Sequence, residues 1–249
     1  MKRSMLPPTA ICFFLFATLS FAQQRIPAGT ILPVQLNLTV KSNKSKPGQK
    51  ITARIMQDVP LPGRHRIPIG AKVAGEVVSV VPQSPPHRGE LTIRFDKVMT
   101  GKQEVPVITN LRALASMMDV FEAQVPDTGS DRGTPWYWRT TEQIGGQVNY
   151  HGQGVITEGN DVVGHSTEDG VLARASSSSR GRCRDGFAGN DRLQALWVFS
   201  SDACGIYDYG EVILKHAGRS DPRGVITLQA DRGNVNLRSG SGLLLRVIP

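Results

Sequence analysis

The sequence predicts an all-β fold: a barrel or sandwich of short antiparallel strands with the N- and C-terminal strands paired, plus a long Gly/Ser-rich excursion. Three observations carry this. The phrase Ile26-Pro27-Ala28-Gly29-Thr30 returns as Ile67-Pro68-Ile69-Gly70-Ala71, and in each copy proline fixes φ, glycine supplies a turn and an alternating run follows. Strand-length runs with a period of two recur on both sides of the excursion. Turn residues separate them closely, which argues for a barrel or sandwich and against βαβ units.

From Ile31, residues Leu32, Val34, Leu36, Leu38 and Val40 point one way and Gln35, Asn37 and Thr39 the other, a half-buried strand. Pro33 forbids one ladder hydrogen bond, which places it near the strand start or on an edge. Pro47-Gly48 is a turn. Lys50 to Val59 reads as a second strand with Ile51, Ala53 and Ile55 on one face, and Pro60 to His65 as a loop into the second phrase. A long strand, Lys72 to Val81, ends at Pro82, Pro85 and Pro86; Leu91, Ile93 and Phe95 then alternate with Thr92, Arg94 and Asp96. Gly101-Lys102 is a hairpin turn into Glu104 to Thr109. Leu111 to Val120 reads two ways, because Leu111, Leu114, Ala115 and Met118 have helical spacing while an extended core segment ending at Asp119 fits equally. Met117-Met118 reads as packing filler.

The series Ala28-Gly29-Thr30-Ile31-Leu32-Pro33-Val34, Ile51-Thr52-Ala53-Arg54, Gln57-Asp58-Val59 and Ile67-Pro68-Ile69-Gly70-Ala71-Lys72-Val73-Ala74-Gly75-Glu76 resembles the β-barrel domain of TrbI/VirB10-type proteins of type IV secretion systems. The resemblance covers residues 26–110. It implies a barrel fold in a family of envelope-spanning scaffolds whose barrel helps build an outer-membrane pore, with no catalytic residues to carry over. Family members place an uncleaved membrane helix and a proline-rich linker before the barrel. Here a cleavable-looking signal stands almost directly against it, so the resemblance implies a fold more than a secretion role.

Residues 126–192 are rich in glycine, serine and aspartate, with apolar islands at Trp136-Tyr137-Trp138, Ile144 to Tyr150 and Val171-Leu172-Ala173. Long segments of this kind carry function or mobility, and we expect a partly ordered excursion from the barrel. Trp136, Tyr137 and Trp138 are the candidate ligand or partner contacts, since aromatics on a polar loop stack on sugars or anchor a partner; folding back over the core is the competing reading. Leu193 to Ser200 is apolar on nearly both sides, which fits a central, doubly covered strand. Further strands are expected at Glu211 to Lys215, Gly224 to Ala230, Asn234 to Arg238 and Leu243 to Ile248, with turns at Arg232-Gly233-Asn234 and Ser239-Gly240-Ser241-Gly242. The last is expected to pair with Ile31 to Val40 and seal the sheet.

The domain reading is therefore a signal peptide over 1–22, a barrel-like part over 23–125, the excursion over 126–192 and completing strands over 193–249. Lys2 and Arg3 precede an apolar stretch from Ala10 to Leu19, and Ser20-Phe21-Ala22 offers a peptidase its small residues. Cleavage after Ala22 leaves Gln23 first, in a periplasmic, outer-membrane-associated or secreted protein. Only Cys183 and Cys204 then remain, and an even pair in an exported chain reads as a disulfide. Its loop of about 20 residues corresponds to roughly 3 kcal/mol in the chain-entropy account.

Formal charge is +8, or +6 once the two positive charges of Lys2 and Arg3 leave with the signal. A basic exported chain has affinity for anionic envelope polymers or envelope proteins, with at most peripheral membrane association. Aromatics do not interleave with the arginines, so no specific nucleic-acid platform is read. The five histidines, His65, His87, His151, His165 and His216, lack ligand spacing; His165 near Asp161, Glu168 and Asp169 is the nearest approach to a cluster. Gly145-Gly146 and Gly152-Gln153-Gly154 lack the lysine and helix of a phosphate loop. Ser239-Gly240-Ser241-Gly242 lacks the strand-to-helix elbow of a hydrolase nucleophile. No catalytic, cofactor or metal residue is assigned. The functional expectation is an exported envelope or secreted β-rich binding or scaffold protein. The alternatives are an assembly subunit related to type IV secretion, and a secreted polysaccharide hydrolase using carboxylates among Glu142, Glu158, Asp161, Glu168 and Asp169.

Overall fold

The computed structural model describes residues 25–124, 143–146, 154–158, 160–176 and 190–249. Within them run β1 (Ile31–Leu36), β2 (Val40–Lys41), β3 (Lys50–Ile55), β4 (Val59–Pro60), β5 (Arg66–Ile67), β6 (Lys72–Val81), β7 (Glu90–Thr100), β8 (Gln103–Pro106), β9 (Thr109–Ala115), helix α1 (Met117–Gln124), β10 (Val155–Glu158), β11 (Asp161–Thr167), β12 (Gly170–Ala175), β13 (Asn190–Ala195), β14 (Gly205–Tyr207), β15 (Val212–His216), β16 (Ile226–Ala230), β17 (Asn236–Leu237) and β18 (Gly242–Val247). The fold is all-β, as the alternation requires.

Ten strands form one nearly closed, barrel-like sheet in the order β14-β9-β18-β1-β3-β6-β7-β16-β15, with β8 hairpinned onto β7. The two proline-glycine phrases fold alike. Gly29 (φ 88°) and Gly70 (φ 82°) each occupy the third position of a four-residue turn, closed by Thr30 N–H to Pro27 O at 3.2 Å and by Ala71 N–H to Pro68 O at 3.1 Å. A positive φ at that position is what glycine supplies, and proline is found in the same turns. The first corner launches β1 and the second launches β6. Pro33 sits where it does least harm: its missing N–H would face β3, and the β1–β3 ladder begins only at Val34 opposite Ile55.

The terminal strands pair as expected, Ile31 opposite Arg246 through Gln35 opposite Gly242. They do not form the seam. Both are central, and the free edges belong to β14, which pairs in parallel with β9, and to β15. Leu32, Val34, Leu36, Ile51, Ile55, Leu91, Ile93 and Phe95 fill the interior with branched aliphatics around one aromatic ring.

A second antiparallel sheet, β10-β11-β12-β13, falls within the expected excursion and the residues just after it. It packs over the outer face of β1, β9 and β18: Ile31, Ala113, Ala115 and Leu244 leave the barrel interior and join Ile156, Val171, Ala173, Trp197 and Phe199 in a second apolar cluster. Leu243-Leu244-Leu245 is therefore the doubly covered run. The expected central strand Leu193 to Ser200 is corrected on this point. It stops at Ala195 as the edge strand β13, because Trp197 turns into the left-handed region (φ 54°) and the chain bends, although Leu196 to Phe199 stay buried. The ambiguous stretch from Leu111 resolves as strand to Ala115 and helix from Met117. Ser239 to Gly242 is a corner between β17 and β18, which pair with different partners, and not a hairpin.

Candidate functional site

Two concave regions collect polar side chains, one at the seam of the barrel and one at the joint between the sheets. The seam groove begins where β9 ends. Ser116 Oγ accepts the backbone N–H groups of Met118 (3.1 Å) and Asp119 (3.0 Å), capping α1, and donates its own proton to Asp208 Oδ2 at 2.8 Å. Asp208 lies in the loop joining the two edge strands, with φ at 48°, a conformation tolerated by aspartate better than by most residues. Beyond it the Tyr209 and Ser241 hydroxyls share a hydrogen bond. Burial pushes the Tyr209 phenol up to about 12, with Ser241 and Arg238 pulling the other way.

The groove has a volume of about 400 Å³. Arg232, Asn234, Asn236 and Arg238 line it together with Met117 and Met118, which supply an apolar lip. Both methionines are substantially exposed, so they do not act as core filler. Among the described residues the ion-pair partner of Arg232 is the exposed Glu211, at 3.8 Å. The buried Asn236 Oδ1 has no partner among the described residues, whereas Asn234 Oδ1 accepts from Ser42 Oγ (3.1 Å) and Gln83 N–H (2.9 Å). The lining carries two guanidiniums, Arg232 and Arg238, two carboxylates, Asp208 and Glu211, and the amides of Asn234 and Asn236; guanidiniums and amides beside an apolar lip suit a ligand bearing oxyanions and hydroxyls, with Glu211 as the competitor for Arg232. Ser116 faces the Asp208 carboxylate, and among the described residues lining the groove there is no imidazole.

The joint is held by polar side chains that emerge from apolar strands. Ile31 N–H points to the β3 side, beyond the end of that ladder, and donates to Gln194 Oε1 at 3.0 Å. Gln57 Oε1 accepts Trp197 N–H at 2.7 Å, while its Nε2 donates to Thr167 Oγ1 at 3.0 Å. Arg112, 2% exposed in β9, donates from Nε to Ala203 O (3.0 Å) and from Nη2 to Ser201 O (2.8 Å) and Ser176 O (3.1 Å). Burial, followed by the charge of Arg246, lowers its pKa to about 10 against the opposing pull of Asp202 and Tyr207. It remains a cation at neutral pH, stabilised by three carbonyls.

Compared with models of protein families, with curated proteins and with solved structures, the chain matches none. The site is therefore read from its own chemistry.

Of the residues singled out by sequence, Trp136, Tyr137, Trp138, Cys183 and Glu142 lie outside the described residues, as does the span 1–22. Cys204 is buried beside Tyr207, whose hydroxyl accepts Cys204 N–H at 2.9 Å and donates to Cys204 O at 3.0 Å. His165 is an exposed residue of β11, and Glu168 and Asp169 form the turn into β12. Among the described residues no three His, Cys, Asp or Glu side chains meet in a metal-holding group, and no helix is long and apolar enough to cross a membrane. Sequence reasoning missed Arg112, Gln57 and Gln194. The signal existed for two of them: Arg112 and Gln194 each interrupt an apolar run, and a polar residue there must find a partner. Tyr209, Asn236 and Arg238 stand in short turns and bridges with no periodicity to reveal them.

Proposed function

We propose that this chain is an exported binding or scaffold module of the cell envelope that takes an anionic envelope polymer in the seam groove. The observation that carries the reading is the groove of about 400 Å³ whose lining brings together Arg232, Arg238, an Asn236 Oδ1 without a partner among the described residues, and the Met117-Met118 lip. Guanidinium groups pair with carboxylates or phosphates, the amide acceptor takes a hydroxyl, and the lip covers the apolar face of a sugar or acyl group. A nearly sealed sheet supplies a rigid frame for that surface. The basic balance of the chain raises local polyanion concentration. Export follows from the n-region, apolar stretch and Ser20-Phe21-Ala22, and a Cys183–Cys204 disulfide from the compartment and the even count.

The test is binding of the purified mature protein to polygalacturonate, with uncharged dextran as control. Retention that weakens as salt rises, and falls tenfold or more in an Arg232→Ala/Arg238→Ala protein, supports the reading. Equal retention on both polymers, or an unaffected variant, contradicts it. N-terminal sequencing from whole cells should start at Gln23, and a start at Met1 would refute export. A second reading, an assembly subunit related to type IV secretion, rests on the sequence resemblance of residues 26–110 to the TrbI/VirB10-type barrel. It predicts stable rings in size-exclusion chromatography.

A further inference from the structure

We propose that the cavity at the joint of the two sheets binds a basic side chain, an aliphatic ammonium or guanidinium carried on a peptide. The cavity, about 340 Å³, lies between Met56 and Ile69 of the barrel, the end of α1, the Glu168-Asp169-Gly170 turn and Trp197-Val198. Junctions between packed bodies are where pockets concentrate. Three chemistries converge on it.

The first is an orphan donor. Gln143 lines the cavity, is only 4% exposed, and its Nε2 has no hydrogen-bond partner among the described residues. Buried amide donors are nearly always paired, so an unpaired one at a cavity wall points to an acceptor delivered from outside, such as a peptide carbonyl. The second is an acidic pair. Glu168 and Asp169 face the cavity from an exposed turn and make no ion pair among the described residues, in a chain of net charge +8. Adjacent carboxylates without a cation of their own favour a cationic ligand. The third is the wall between them. Met56, Ile69 and Val198 are apolar and suit the methylene stem of lysine or arginine, whose head group reaches out to the carboxylates while the stem stays covered.

The floor is rigid. Trp197 is held at φ 54° by its N–H bond to Gln57, and a Cβ on Gly170 would stand 2.6 Å from Trp197 Cα, so the acidic turn is pressed against that backbone. A left-handed tryptophan persists only where its surroundings over-determine it, and here they set the position of the carboxylates.

The experiment is isothermal titration of the full mature chain with acetyl-Gly-Lys-Gly-amide, the same peptide with norleucine for lysine, and n-butylammonium. The lysine peptide should bind at least tenfold tighter than either control, and tenfold tighter than it binds a Glu168→Gln/Asp169→Asn protein. Gln143→Leu should reduce peptide binding while leaving the weak butylammonium binding in place; if that buried change disturbs folding, Gln143→Met, which removes the donor and keeps the length of the side chain without adding charge, makes the same test. Equal binding of the lysine and norleucine peptides, or an unaffected acidic-pair variant, would overturn the proposal. Butylammonium binding as tightly as the peptide would overturn the peptide carrier.

Discussion

The barrel and the four-stranded sheet bury their faces by different means, and the contrast explains where the cavities lie. Inside the barrel, Leu, Ile and Val side chains from every strand interlock around Phe95. The second sheet meets the barrel over a mixed set in which the alanines Ala113, Ala115, Ala173, Ala175 and Ala203 stand among Ile31, Leu244, Ile156 and Val171, with Trp197 and Phe199 in an edge contact at 6.5 Å. Small residues allow close approach but contribute little apolar area each. The second interface is completed instead by directional groups: Arg112 on three carbonyls and Gln57 and Gln194 on backbone N–H groups. Regular apolar packing leaves no room for a ligand, whereas a polar joint does, and so does a seam whose edges do not pair.

The largest effect that would sharpen this contrast is Phe95→Ala, which should cost about 4 kcal/mol by leaving a cavity in the closed core. Urea denaturation measures it, and a loss no larger than that of a surface change would break the comparison. Next is Arg112→Leu, expected to cost about 3 kcal/mol because three carbonyls lose a charged donor, with the loss concentrated in the second sheet.

Tyr209 gives a smaller effect with a distinct pH signature. Its folded pKa of about 12 lies above the usual phenol value near 10. The fold therefore favours the protonated form, and that contribution is whole below pH 10 and lost as pH rises through 12. Tyr209→Phe should cost about 1 kcal/mol at neutral pH and remove this component of alkaline unfolding, read by circular dichroism from pH 9 to 12. The smallest effect is at the barrel surface. Glu76 is held below the ordinary carboxylate range first by the Lys50 hydrogen bond, against slight burial, and with help from the charge of Arg94. Stability from this group is present above the unfolded carboxylate pKa and is lost as pH falls through the lowered value. Lys50→Met should raise the Glu76 titration midpoint by NMR and barely move the melting temperature.

Much of the barrel was legible because its signals are local. Turn chemistry at Pro27–Thr30 and Pro68–Ala71, alternation in Lys72 to Val81, and the match between Ile31 to Leu36 and the last strand all survive in the structure. The seam was not legible. β14 is three residues long and pairs in parallel, which no alternation of its own can reveal. Double coverage was read at Leu193 to Ser200 because apolar residues crowd there. A bend at Trp197 also buries successive residues, and periodicity cannot distinguish it from a covered strand. Of the candidate sites, only the acidic turn at Glu168 and Asp169 stood out beforehand, as part of a polar cluster around His165 and without the cavity behind it. Arg232, Asn236 and Arg238 are close in the chain, but their meeting with Ser116, Met117, Met118 and Asp208 is a long-range consequence of topology.

The central claim, that the barrel is the self-sufficient frame and the second sheet is fastened to it by polar clamps, is tested most directly by hydrogen exchange on a Gln57→Leu/Gln194→Leu protein. The account predicts that amides of β11 and β12 lose protection while those of β1, β3, β6 and β18 keep theirs. Loss of protection spread evenly over both sheets would contradict it.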